Sequence, residues 1–277
     1  MLSVVLAGLL AAAPARAAGP QLPGEEIELK AADGWALKAR YHAAEPGKLT
    51  VILLHGRGTR KEIWRPLARG LEKAGYGFLA PDLRGHGESQ TAPDGQVIPW
   101  RKLKATAKGE NDYAKMALDV QAAAEWLSPH GAEEASLAII GQDVGGSVAL
   151  RYAAVHSKVP LVVMLSPGLS YQEVTTVNAM RAYKERPVLM VYGTLDRYAS
   201  SSTPILFQFA KQSAGEQRAG IVAVPDVHGS KLLTPAVVAQ IVDWLGNPVP
   251  PPPPAVSTTT APGAPGPDGA TPEPPAQ

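Results

Sequence analysis

The chain has 277 residues, 45% hydrophobic and 18% charged, with 26 Lys and Arg against 25 Asp and Glu. That balance excludes a disordered acidic chain and a basic nucleic-acid binder. The absence of cysteine excludes a thiolate nucleophile, a disulfide scaffold and a thiolate metal site.

In chain order, Leu2 to Ala13 is apolar and runs into Pro14, Ala15-Arg16-Ala17 and Ala18. This is an apolar core ending in a small-x-small cleavage pattern, although no Lys or Arg precedes it. The run is well short of the ~20 residues that span a bilayer. Residues 1–19 therefore read as a signal peptide. The expectation is an exported protein, periplasmic or secreted, with no membrane span after cleavage. Residues 20–247 read as one globular domain. Residues 248–277, with 12 of the 27 prolines and no aromatic residue, read as a disordered Pro-rich tail that cannot build a core. A surface spacer accounts for it, as do a ligand for a proline-binding module and a cell-wall-threading segment.

The central region opens with an expected hairpin, Ile27–Lys30 and Trp35–Tyr41 around Ala32-Asp33-Gly34. Apolar runs of strand length follow at Leu49–Leu54, Gly77–Ala80, Leu137–Ile140, Leu161–Leu165, Val188–Tyr192 and Ile221–Val224. Between them, Glu62–Ala74, Tyr113–Leu127, Gly146–His156, Ser202–Ser213 and Pro235–Leu245 carry apolar residues at helical spacing. Strand-helix alternation with continuously apolar strands predicts an α/β fold, a mostly parallel sheet with helices on both faces. Only about 20 residues, Pro167–Arg186, separate the fourth and fifth of these runs, too few for a large cap.

In such sheets chemistry gathers beyond the strand C-termini. There the sequence places HGRG (His55–Gly58), GQDVGG (Gly141–Gly146), GTLD (Gly193–Asp196) and PDVHGS (Pro225–Ser230). A glycine-flanked acid alone could simply cap a helix. Here Gly141-Gln142-Asp143-Val144-Gly145 lies between a strand and a helix. Small residues two before and two after Asp143 let it occupy a sharp turn and project above the sheet.

With Pro81-Asp82-Leu83-Arg84-Gly85-His86-Gly87-Glu88-Ser89 added, the ordered set resembles the α/β-hydrolase superfamily over Glu25 to Leu245. The chain looks like a small, uncapped, esterase-like bacterial member with Asp in place of Ser at the elbow. The resemblance implies an α/β-hydrolase fold and an Asp143–His228–Asp196 triad. It also implies an oxyanion hole from the backbone amides of Val144 and Arg57. Ser147, one helical turn on, reads as a packing residue.

An elbow Asp resembles haloalkane dehalogenases and epoxide hydrolases, where the carboxylate attacks carbon and histidine then activates water. Attack on an ordinary ester would give an anhydride and expel an alkoxide far more basic than the carboxylate. An sp³ carbon is therefore the coherent target. The chain departs from both groups: Val144 stands where dehalogenase-like enzymes place Trp, and no cap supplies lid tyrosines, although Tyr171 and Tyr183 lie in the short gap. The expected function is a hydrolase acting on a small-molecule ester or carbon electrophile. The alternative is a catalytically degenerate binding or scaffold protein on the same fold.

No cofactor or metal is expected, because the six histidines show no HxH or HExxH spacing and no phosphate-binding glycine motif is present. The only partner expected is a small-molecule substrate, with no nucleic acid and no inference about oligomers. His55 and His86 are expected to brace their loops by hydrogen bonds. The basic stretch Arg101, Lys102, Lys104 and Lys108 reads as a solvated loop or as a rim for an anionic substrate.

Overall fold

A computed structural model of the chain describes residues 21–227 and 229–249. The expected signal peptide, the tail from residue 250 onward and His228 lie outside the described residues. Among the described residues, ten strands and six α-helices follow in chain order. The first hairpin, β1 (Glu25–Lys30) and β2 (Ala36–His42), turns at Gly34, whose φ of 88° only glycine adopts readily. The strands β3 (Thr50–Leu54), β4 (Gly77–Pro81), β5 (Leu137–Gln142) and β6 (Leu161–Leu165) are buried at every position, as continuous apolar runs covered on both faces require. The main sheet is completed by β9 (Val188–Gly193) and β10 (Ala219–Val224).

The strand order is β1-β2-β4-β3-β5-β6-β9-β10, with β2 antiparallel to both neighbours and the other pairs parallel. After β3 the chain crosses to β4 on one side, and it later returns to β5 on the other. The order therefore reverses at β3, the kind of switch point beside which open α/β sheets bind their ligands. That switch point puts HGRG beside the elbow.

Helices α1 (Arg65–Lys73) and α6 (Pro235–Gly246) cover one face around Trp64, Leu67, Val238 and Trp244. The other face is covered by α2 (Met116–Leu127), α3 (Val144–Val155), α4 (Val177–Tyr183) and α5 (Arg197–Ala214), around Val120, Val148, Met180 and Leu206. No helix among the described residues is long and apolar enough to cross a membrane.

The structure departs from expectation at two places. The fifth helix begins at Arg197 rather than Ser202, because the Asp196 carboxylate accepts the Ala199 N–H at 3.0 Å and caps it. The short gap holds a hairpin, β7 (Ser170–Tyr171) and β8 (Val174–Thr175), followed by α4. Its turn residues, Gln172 and Glu173, have φ of 51° and 63°, a conformation usually marked by Asn or Gly, so the sequence gives no turn signal there.

Candidate active site

The elbow is built by steric necessity. A Cβ on Gly141 would lie 2.3 Å from the Gly145 carbonyl oxygen, and one on Gly145 would lie 2.3 Å from that of Leu54. Only with bare backbone at both positions can β5 turn into α3 so tightly. Asp143 sits between them at φ 60° and ψ −125°, a strained conformation that residues other than glycine seldom adopt. Its N–H donates to Leu165 O at 3.0 Å, and its carbonyl accepts from Gly146 and Ser147 at 3.1 and 3.2 Å. The backbone is tied down while the carboxylate projects from the turn.

No amide of the following helix caps that carboxylate. Burial raises its pKa to about 6, the nearby charge of Asp196 adds to the rise, and Tyr171 and Arg57 oppose it. Part of the Asp143 surface stays exposed. Gly56, in the loop after β3, packs so closely that a Cβ there would lie 2.8 Å from Asp143 Cβ. The HGRG loop thus lies directly against the elbow residue. Val144 is the first residue of α3, so its N–H has no acceptor within the helix.

Arg57 is exposed, but its guanidinium is held. It lies over the Trp100 ring at 4.6 Å, and Nε donates to the Tyr113 hydroxyl at 3.3 Å. That hydroxyl donates in turn to Trp100 O at 3.1 Å. The 3-10 turn Trp100–Lys102 therefore packs on the HGRG loop, and Arg101 also lies over the Trp100 ring, at 4.3 Å.

Of the two tyrosines in the short gap, Tyr171 has its hydroxyl beside Asp143. It donates to Ser166 O at 3.1 Å, and burial together with the charges of Asp143 and Asp196 pushes its pKa up, so it stays protonated. Its ring meets Tyr198 edge-on at 4.9 Å. Tyr183, by contrast, is a core residue whose hydroxyl donates to Pro187 O at 2.8 Å. Ser147 is fully buried in α3, the packing position expected.

The structure brings Asp143, Val144, Arg57 and Asp196 to one end of the sheet. His228 lies outside the described residues, but the chain on its N-terminal side packs on the loop that carries Asp196. Val227 O accepts the Leu195 N–H at 3.3 Å, and a Cβ on Gly193 would lie 2.1 Å from it.

His55 and His86 are loop braces. His55 Nδ1 donates to Gly56 O at 2.9 Å and Nε2 accepts the Leu83 N–H at 3.0 Å; these bonds fix its tautomer, while burial lowers its pKa to about 4. Its Nε2 lies 4.0 Å from Asp82, but both ring nitrogens are already used. The His86 Nδ1 donates to Arg84 O at 2.9 Å.

The α/β-hydrolase fold family model matches residues 50–207, more than half of the chain. A protein of Mycobacterium tuberculosis described as uncharacterised is 28% identical over 199 residues, covering 70% of this chain and 64% of that protein. Epoxide hydrolase A of the same organism is 33% identical over 142 residues, 50% of this chain and 38% of the other. The matched region thus spans less than two thirds of these curated relatives. Among solved structures, dienelactone hydrolase from Anabaena variabilis superimposes with a TM-score of 0.64 at 20% identity, covering 83% of this chain and all of the other, a likeness of fold. From the sheet order, the elbow and this match, the chain belongs to the α/β-hydrolase fold family.

Proposed function

We propose that this protein is a hydrolase whose nucleophile is the Asp143 carboxylate, with Asp196 as the acid of the triad and His228 as its base, acting on a small carbon electrophile. The observation that carries this reading is the state of Asp143: strained, uncapped, partly exposed and raised to about pKa 6. Such a group is mostly ionised at pH 7 and needs no base to attack. Nothing in packing alone calls for a poorly solvated carboxylate in a strained turn.

In the first step a carboxylate oxygen bonds to an sp³ carbon, and the bond to the leaving atom breaks with its electron pair. Where that atom is the oxygen of a strained ring, the protonated Tyr171 hydroxyl can deliver its proton. In the second step water attacks the carbonyl carbon of the ester, with His228 accepting its proton. The amides of Val144 and Arg57 face the resulting oxyanion. Collapse expels the alcohol oxygen, which takes the hydroxyl proton of the tetrahedral centre and so leaves the Asp143 carboxylate; the proton on His228 passes through water to the Tyr171 phenolate after ring opening, or to bulk solvent after halide departure. The 33% identity with an epoxide hydrolase over half of the chain supports a carbon electrophile over an ester. Export directed by residues 1–19, with 248–277 as a spacer, belongs to the same proposal and is tested by fractionating expressing cells.

The test is intact mass measurement after incubation with a panel of epoxides, alkyl halides, lactones and aryl esters. The parent should turn over an epoxide or halide. The His228→Ala form should accumulate a covalent adduct, and Asp143→Asn should do neither. If no form gives an adduct and Asp143→Ser gains aryl-esterase activity, the Asp nucleophile is refuted. The fold then serves as a binding scaffold.

A further inference from the structure

We propose that Arg57 anchors an anionic group of the substrate, so that the electrophile taken by this site carries a carboxylate. This names a substrate class for the site just described and rests on that reading. Arg57 follows Gly56, the residue packed on Asp143, so its side chain starts at the mouth of the site. Its position over the Trp100 ring, 4.6 Å from the centroid, and the Nε bond to Tyr113 hold the guanidinium in place. Both terminal nitrogens remain without a carboxylate partner among the described residues. A fixed planar fork with two free donors matches a carboxylate in bidentate geometry, and its rotamer entropy is already spent.

The position also fits. Arg57 is near enough for its charge to lower the pKa of Asp143, yet makes no ion pair with it within 4.0 Å, which leaves space between guanidinium and nucleophile. A substrate carboxylate would ordinarily repel the Asp143 carboxylate. Bound to Arg57, it meets the nucleophile as half of an ion pair. Arg101, over the same Trp100 ring, and Lys102, Lys104 and Lys108 in the exposed loop beyond it also form no ion pair among the described residues. They add positive potential along the approach.

The experiment compares kcat/KM for 3-phenylglycidate and for 3-phenylglycidamide at pH 8 and low salt, where Asp143 is ionised in every variant. The parent should favour the acid by roughly 10- to 100-fold, the range of a charge-assisted bidentate contact. Arg57→Gln should bring the ratio near one. Arg57→Lys should keep part of it, since a point charge survives but the fork and the stack do not. A second measurement needs no turnover: calorimetric binding of cinnamate and cinnamamide to the Asp143→Asn protein, with and without Arg57→Gln. Cinnamate bound through Arg57, with no electrophile turned over, would refute the Asp143 nucleophile and sustain the anchor. Equal use of acid and amide by the parent, or an equal loss of both in Arg57→Gln, would overturn the anchor, because Arg57 would then serve only Asp143 or its own loop.

Discussion

Two groups of ionisable side chains lie near the carboxyl ends of the central strands, and they are built on opposite rules. In the first, Asp82 is fully buried and accepts Lys61 N–H at 2.8 Å, Lys61 Nζ at 2.7 Å and Glu88 N–H at 2.9 Å, while Lys61 also meets Glu88 and His55 uses both ring nitrogens. In the second, Asp143 receives no backbone cap and shares a small space with Asp196 and Tyr171. The first group is the denser in charge and the better satisfied. Saturated donors and acceptors fix the loops after β3 and β4, and the proposed chemistry falls to the carboxylate whose bonding capacity is unspent.

The sharpest way to break this contrast is to open the saturated group. Asp82→Ala leaves the buried Lys61 ammonium without its main partner and should lower stability by about 3 to 5 kcal/mol in urea denaturation. A change under 1 kcal/mol would show that the cluster is not what holds these loops.

Removing the charge of Asp143 should do the reverse. Its folded pKa, about 6, is above the unfolded value. The native state therefore holds a proton that the unfolded chain has released between about pH 4 and 6, and stability falls as pH rises through that window. At pH 8 the Asp143→Asn protein should be more stable than the parent by about 2 to 3 kcal/mol. The gain should shrink to nothing as pH falls from 6 to 4. A constant difference across that range would mean that Asp143 carries no desolvation penalty.

The smallest effect concerns Tyr171. Its hydroxyl opposes the rise in the Asp143 pKa, so Tyr171→Phe should move the acid limb of kcat/KM, set near pH 6 in the parent, to higher pH by less than about one unit. An unmoved limb would remove the hydroxyl from the environment of Asp143.

Much of the architecture is local in origin and was therefore legible in the residues. Continuously apolar runs mark β3 to β6, and the glycines around Asp143 announce the elbow, because the sterics of a tight strand-to-helix turn act within five residues. Helix α5 starts ahead of its apolar periodicity, and the signal is local: Asp196, which the resemblance gives to the triad, is also a helix-capping residue. The tip of the hairpin carries Gln172 and Glu173 at positive φ. It is held from outside, by Asn111 Nδ2 donating to Gln172 O at 2.9 Å, and no pattern within the segment reports such a contact.

By itself the sequence determined the α/β alternation, the order of the loop motifs and the carboxylate at the elbow, all set by short-range periodicity and turn sterics. Only the tertiary structure decided that Tyr171 rather than Tyr183 stands beside Asp143, that Trp100 and Tyr113 hold the Arg57 guanidinium, and that the bonds of His55 are already taken. Those outcomes depend on where crossovers return to the sheet and which loops then touch. Contacts between residues as far apart as Arg57 and Tyr113 arise from the packing of the whole domain, and no local rule of composition or spacing encodes them.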